Sequence, residues 1–261
     1  MLISWCDKLA SVPTIGLKLN FHYSPLDEIL EALSPVIDAA SKNDKSRLNL
    51  SQYDVSLNAV AFTTHDGFRY AADSTKLTVG FEHMLRTRVV SGGPPVMEML
   101  SRPLPYTALL EEVADRLGKA ALLINAIKPR TVARLGIVSL TKVSEDDIPP
   151  GVRQLVKYLG RPWRQEVESY TYRVVARLED DRDHLDRCIY TVEKPDPGSD
   201  DDDIMTLNFD WQRLFKSEHA ISEKTVEELL RPAQRAALSQ FEELAEGSQF
   251  DEDIIRDRVS A

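Results

Sequence analysis

The sequence predicts an α+β fold of two tandem β-α-β-β-β-α halves, whose strands join in one curved antiparallel sheet with two long helices on one face. Three observations support it: alternating apolar residues mark strands, apolar residues three and four positions apart mark helices, and this order of elements occurs twice. The predicted divisions are a first β-α-β-β-β half at residues 1–104, a long connecting helix at 105–128 and a second β-α-β-β-β-α half at 129–261.

The first half begins with a strand at residues 14–23, where apolar and polar side chains alternate. Ser24 before a proline is typical of a helix N-terminus, which predicts a helix over residues 25–40. Pro35 lacks a backbone donor, so it is expected to kink this helix or end it near Leu33.

A meander and a long helix complete the first half. Turn residues divide the following stretch into three antiparallel strands, predicted at residues 55–63, 68–72 and 76–89. A linker at residues 92–95, Gly-Gly-Pro-Pro, precedes a helix over 105–127. This helix carries apolar residues at helical spacing: Leu110, Val113, Leu117, Ala121 and Ile124.

The second half repeats this order without repeating any residue motif. Its predicted elements are a strand at 131–143, a short helix at 149–159, three strands at 167–178, 185–192 and 204–211, and a long helix at 223–245. Ser222 is the expected cap of the last helix, and Pro232 is expected to interrupt it.

Composition indicates the cellular compartment and disfavours some classes of binding partner. No segment approaches the roughly 18 apolar residues of a membrane helix, and the N-terminal residues do not resemble a secretory signal, so we expect a cytoplasmic protein with no membrane partner. Two cysteines, Cys6 and Cys188, are expected to be reduced thiols. A formal net charge of −10 disfavours nucleic acid as a partner.

The sequence predicts no catalytic residue, no metal ligand set and no cofactor. His184, Asp186 and Cys188 share one face of a predicted strand, but same-face neighbours on a strand lie about 7 Å apart, too far for a catalytic triad. The five histidines have no metal-binding spacing, and the acidic run at residues 200–203 lacks the alternating ligands of a calcium loop. Phosphate-loop, dinucleotide-binding and hydrolase motifs do not occur.

Three short motifs carry a resemblance to a known family. They are Arg134-Leu-Gly-Ile-Val138, Leu207-Asn-Phe-Asp210 and Phe241-Glu242. The region from Tyr106 to Glu243 resembles a sporadically distributed family of uncharacterised bacterial proteins with an Arg-Xaa-Gly-Leu-Arg-Tyr-Ile-Asn strand, a Leu-Asp-Xaa-Asp strand and a terminal Phe-Glu helix. The aromatic residue and the Asn of the first motif are replaced here by residues 139–141, and the first Asp of the second motif is replaced by Asn208. The resemblance implies the same element order, a bacterial cytoplasmic setting and an accessory or defence-type locus.

Four arginines are the candidate binding residues. Strand alternation places Arg173 and Arg177 on the sheet face away from the helices, where Arg134 and Arg187 are expected to join them. Planar guanidinium groups suit carboxylate or phosphate groups. The alternative is that each arginine pairs with a cross-strand acid such as Glu168, Glu179 or Asp210.

Three functions follow as hypotheses. The first is a non-catalytic binding or regulatory protein acting through protein partners, either another protein or a second copy of the chain. The second is a small-ligand or anion-binding module that uses the sheet face opposite the helices. The third is an enzyme whose site is assembled between the two halves.

Overall fold

A nine-stranded antiparallel sheet forms the framework of the protein. The computed structural model describes residues 4–20, 25–42, 52–56, 59–64, 66–83, 85–88, 96–99, 104–160, 167–198 and 204–248. The strands are β1 (Val12–Leu19), β2 (Gln52–Ser56), β3 (Ala59–Thr63), β4 (Phe68–Asp73), β5 (Lys76–Phe81), β6 (Leu85–Arg88), β7 (Val96–Met99), β8 (Thr131–Ser144), β9 (Tyr170–Asp180), β10 (His184–Lys194) and β11 (Ile204–Ala220). The sheet order is β2-β3-β4-β5-β1-β8-β11-β10-β9, and β6 pairs separately with β7.

Five α-helices accompany the sheet in the described part of the chain: α1 (Trp5–Lys8), α2 (Leu26–Lys42), α3 (Tyr106–Ile127), α4 (Pro150–Gly160) and α5 (Arg231–Glu246). A single π-helical turn, Val226–Leu230, leads into α5. The predicted α+β class and antiparallel sheet are therefore confirmed. None of the described helices has the length and hydropathy that a membrane crossing needs.

Two differences from prediction occur in the first half because hydrophobic periodicity alone does not reveal chain reversals. The predicted strand at 55–63 is a hairpin, in which Ser56 of β2 pairs with Ala59 of β3. The predicted strand at 76–89 ends at Phe81, because its partner β4 begins at Phe68, the residue that pairs with Phe81. The chain then enters β6, whose partner β7 was not predicted.

Helix α2 also differs from prediction, since it continues through Pro35 to Lys42. Pro35 removes one backbone hydrogen bond. Ile29 and Leu33 are buried before it, and Ile37 packs against the core after it, so tertiary packing holds the helix across the proline. The predictions for residues 21–24, His65, 92–95 and 199–203 concern positions outside the described residues.

In the second half, β11 is much longer than predicted. Charged and polar residues at 216–218 break the apolar alternation, yet the strand continues to Ala220, which pairs with Thr131 after an irregularity in register. The predicted interruption at Pro232 coincides with a change of helix type. The π-helical turn Val226–Leu230 ends and α5 begins at Arg231, the residue before the proline, which cannot donate a backbone hydrogen bond.

The core lies between one face of the sheet and the helices. Helix α3 packs on the central strands β1 and β5, and α5 packs on β8 and β11. The strands contribute alternating buried residues, among them Ile15, Leu17, Leu135, Ile137, Phe209 and Trp211. We call the opposite side, away from α3 and α5, the open face.

The Phe241-Glu242 pair of α5 joins distant parts of the chain. The Phe241 ring meets the Phe209 ring edge to face, with centroids 5.2 Å apart. The Glu242 carboxylate accepts hydrogen bonds from the backbone amides of Trp5 and Cys6 at 2.8 to 3.4 Å, and so caps the N-terminus of α1.

Replacing Phe241 with Ala should lower the free energy of unfolding by about 3–5 kcal/mol, because the ring is 5% exposed and its loss leaves a cavity against Phe209. Urea denaturation measures the change. Val175→Ala is the control, since Val175 is 51% exposed and its truncation should cost less than about 0.5 kcal/mol. Similar losses for the two variants would contradict the described core.

Candidate functional site

The candidate site lies at the centre of the open face, where β1 pairs with β8. Gly16 is opposite Gly136 in this antiparallel pair, so neither strand places a side chain at that point. A methyl group added at Gly16 would lie 3.0 Å from Thr78 Cγ2 and 4.0 Å from Lys76 Cε. The glycine therefore leaves room for the Lys76 side chain to extend over the central strands.

Three cations form a row across these strands. Lys18 of β1 is directly opposite Lys76 of β5 on one side and opposite Arg134 of β8 on the other. Like charges directly opposite each other destabilise a sheet. Within the described part of the chain, no hydrogen bond or ion pair joins any of these three side chains to an acidic residue.

A polar chain lies beside this row on β10 and β11. Arg187 donates two hydrogen bonds to Gln212 Oε1, at 2.9 and 2.7 Å. Gln212 Nε2 donates in turn to Asp210 Oδ2 at 2.6 Å. Both Gln212 and Asp210 belong to the open face, because the intervening Trp211 is fully buried on the helix side.

Asp210 is the electrostatic centre of the site. Partial burial raises the pKa of its carboxyl above the ordinary value, while the hydrogen bond from Gln212 and the charges of Arg134, Arg187 and Arg173 oppose that rise. Three of the four predicted arginines are therefore close enough to act on one carboxylate.

Arg177, the fourth arginine, is directly opposite Arg187 across β9 and β10 but is not among the charges that act on Asp210. It forms an ion pair with Asp180 three residues along the chain. Arg177 has a local partner and Arg187 binds a glutamine. Arg134 and Arg173 have no hydrogen bond or ion pair among the described residues, but the charges of Arg134, Arg173 and Arg187 act on Asp210, one of the acids that the alternative names.

Cys188 is unsuited to nucleophilic chemistry. The side chain is fully buried beneath the helices, opposite Trp211 on the neighbouring strand. Burial raises the pKa of its thiol to about 12, so the thiolate is scarce at neutral pH. Burial also raises the pKa of Cys6, the other free cysteine.

His184 and Asp186 do converge, with Glu179 rather than with Cys188. His184 Nε2 lies 3.6 Å from Asp186 Oδ1 and 3.9 Å from Glu179 Oε2. Sequence spacing could not show this, because an irregularity in register between Asp186 and Arg187 leaves Leu178 of β9 without a partner and turns Glu179 toward Asp186.

An apolar crevice lies between α4, α5 and the outer strands of the second half. Its walls include Val152, Leu155, Phe209, Phe241 and Leu244, and no charged side chain lines it. The crevice is therefore an apolar cavity, and none of the candidate arginines lines it.

The stability of the Asp210→Asn variant, relative to the natural protein, should rise between pH 3 and pH 7. A raised pKa in the folded state means that Asp210 contributes stability below its unfolded pKa and loses that contribution as the pH rises through its folded pKa. Urea denaturation at both pH values measures the difference.

Asp180→Asn is the matched control for that measurement. A hydrogen bond from Lys216 and the nearby Arg177 lower the pKa of Asp180, so its contribution is present above its ordinary pKa and is lost as the pH falls. The relative stability of this variant should therefore fall between pH 3 and pH 7. The same sign for both variants would contradict the described environments.

Both cysteines should react with Ellman's reagent at pH 8 far more slowly than glutathione does, because each thiol is buried and its pKa is raised. In urea both should react fully. Rapid labelling of Cys188 in the folded protein would restore it as a candidate nucleophile.

Comparison with known proteins found no matching family, no matching curated protein and no matching solved structure. The geometry of the site is therefore the basis for its functional interpretation.

Proposed function

We propose that this chain is a non-catalytic binding protein that docks an acidic segment of a protein partner on the open face of its sheet. The observation that carries the proposal is the pair Arg134 and Arg173, two guanidinium groups beside Asp210 with no ion pair among the described residues. Lys18 and Lys76 extend the same basic surface across the central strands.

The lack of ion pairs at these cations, among the described residues, is unexpected in a chain that is acidic overall. The sequence has 42 acidic and 32 basic residues, so acidic partners are plentiful. Arg69, Arg116, Lys194, Lys216 and Arg231 all form ion pairs elsewhere. Lys18, Lys76 and Arg134 are aligned across strands at a cost in stability and form no ion pair with a described residue. Arg134, Arg173 and Arg187 share one carboxylate, Asp210, so positive charge is in excess on this face, which supports the binding of an external anion.

The surroundings favour a polypeptide over nucleic acid. Val175, between Arg173 and Arg177 on β9, is 51% exposed, which provides an apolar contact beside the cations. The described strand residues of the open face include no aromatic side chain on which a base could stack. A net charge of −10 also repels a polyanion at long range.

A small anionic ligand is the second candidate, and one observation favours it. Arg187, Gln212 and Asp210 are already joined by hydrogen bonds, so the polar groups beside Arg134 are ordered before any ligand arrives. The same guanidinium groups would bind a carboxylate or a phosphate. In the part of the chain that the structure describes, no comparable group of residues supports an enzyme site assembled between the halves.

The proposed duplication explains why the basic row is central. Read outward from the middle, the sheet order is β1-β5-β4-β3 on one side and β8-β11-β10-β9 on the other, with β2 as an extra edge strand. This matching order supports a first β-α-β-β-β half at 1–104, a long connecting helix at 105–128 and a second β-α-β-β-β-α half at 129–261. The antiparallel pair of Gly16 and Gly136 would then lie near a pseudo-twofold axis.

The family resemblance is consistent with the same surface. Arg134, Gly136 and Asp210, which belong to two of its motifs, all lie on the open face. A cytoplasmic setting is part of the proposal, and two free thiols support it. The bacterial accessory or defence-type locus rests on the resemblance alone.

A fluorescein-labelled decaglutamate peptide tests the proposal by fluorescence anisotropy. The Arg134→Ala/Arg173→Ala variant should bind it at least about tenfold more weakly, because two charge-assisted contacts are lost. Arg177→Ala is the matched control: it removes the same charge from β9, but from a side chain paired with Asp180, and should change the affinity less than about twofold.

Two results would overturn this function. One is unchanged peptide affinity in the double variant while its thermal unfolding remains normal. The other is tighter binding of a single-stranded DNA oligonucleotide than of the acidic peptide at the same ionic strength. Displacement of the peptide by inorganic phosphate at micromolar concentration would favour the small-anion candidate.

A further inference from the structure

We propose a second, independent site: a divalent-cation site of the zinc class formed by Glu179, His184 and Asp186 at the corner where β9 turns into β10. These residues are not part of the open face, because the buried Asp186 side chain lies on the helix side of the sheet. The proposal does not depend on the function proposed above.

The distances suit one ion. One ligand atom from each residue lies within 4.8 Å of the other two. His184 Nε2 is 3.6 Å from Asp186 Oδ1 and 3.9 Å from Glu179 Oε2. Ligand atoms about 2.0–2.2 Å from a tetrahedral zinc ion are roughly 3.4 Å apart, so a small closure of the exposed Glu179 side chain completes a three-ligand set with a position left for water.

The imidazole is oriented as in histidine metal sites. Its Nε2 atom is buried and has no hydrogen-bond partner. Its Nδ1 atom lies 3.3 Å from Asp181 Oδ2. The other oxygen of Asp181 accepts the backbone amides of Asp183 and His184, both at 2.7 Å, which fixes the carboxylate in place. A carboxylate behind Nδ1 and an unpartnered Nε2 toward other carboxylates are what a metal-ligating histidine requires.

The charges around these three residues also favour a bound cation. Glu179, Asp181 and Asp186 carry three negative charges, and Arg213, which donates to both oxygens of Asp186 at 2.8 and 2.7 Å, supplies one positive charge. With the neighbouring Asp180, Arg177 and Lys216 included, four carboxylates face three cations, so this corner keeps an excess of negative charge that favours a bound cation. Arg213 uses one lone pair on each Asp186 oxygen and leaves another on Oδ1 for the ion. The adjacent Asp180 is already paired with Arg177 and Lys216.

The backbone is shaped to bring these ligands together. Glu179 is directly opposite Asp186 across the strands, an arrangement of like charges that is unfavourable without a cation. It occurs because Leu178 is an extra residue in β9 and shifts Glu179 to the side of Asp186. Bulges commonly re-aim side chains beside functional sites.

Zinc titration of the full chain, after removal of metals with EDTA, tests the site by isothermal calorimetry. We expect one ion per chain with a Kd of about 1 μM or tighter. Glu179→Gln should weaken binding at least about tenfold, and because Glu179 is exposed this variant should fold normally. Asp181→Asn, which changes only the group behind the imidazole, should weaken binding about 10- to 100-fold.

His184→Ala should abolish binding, whereas His219→Ala is the matched control and should leave it unchanged. His219 lies near the end of the neighbouring strand with its ring against Phe215, and its nitrogens are not among the convergent ligand atoms of Glu179, His184 and Asp186. Cobalt(II) provides a second readout, since intense visible absorption with the natural chain and none with His184→Ala would indicate a low-coordinate site that includes the imidazole.

The competing explanation is that a protonated His184 neutralises the carboxylates without a metal. In that case the melting temperature would depend on pH in the natural chain but would not change with added zinc, and the calorimetric signal would be missing up to about 1 mM zinc. That result, or equal zinc binding by the natural chain, Glu179→Gln and His184→Ala, would overturn the proposal.

Discussion

The pairing of β1 with β8 is the constraint on which the rest of the structure depends. It joins two four-stranded arrays and the edge strand β2 into one sheet. On the helix side, the pair places Ile15 opposite Ile137 and Leu17 opposite Leu135, all fully buried. On the other side, the same alternation places Gly16 opposite Gly136 and Lys18 opposite Arg134. One register therefore fixes both the centre of the core and the centre of the basic surface, because a shift of one residue would exchange the two faces.

The two faces of the sheet have different effects on the stability of the fold. The helix side stabilises the fold, through apolar burial and through polar links such as the Asp186–Arg213 ion pair. The open face has aligned cations and a carboxylate whose pKa is raised by burial, neither of which favours folding. A surface that keeps features lowering the stability of the fold is best explained by what it binds. Arg134 and Arg173 have no ion pair among the described residues, whereas Arg177 is paired locally with Asp180.

Much of the fold could be predicted because, in long segments, the spacing of apolar residues indicates the type of element and the face that is buried. Helix α3, strand β8 and the alternation in β9 are examples. The hairpin between β2 and β3 and the extension of β11 past Lys216 were missed, since they depend on which strand is available as a partner. Alternation predicted the side of Arg173, but no local signal distinguishes it from Arg177. The convergence of Glu179 with His184 depends on one unpaired residue, Leu178, which no pattern in the sequence marks.

The central place of β1 has a consequence for how the chain acquires its structure. Both neighbours of β1 are synthesised after it: β5 begins at Lys76 and β8 at Thr131. Until β5 and β8 are synthesised, β1 is an apolar strand with two unpaired edges. The N-terminal cap of α1 forms later still, because Glu242 is synthesised after β8. Such long-range pairing is slow and leaves aggregation-prone edges exposed. The interval between the synthesis of β1 and that of β8 is therefore the stage at which the nascent chain is most exposed to aggregation.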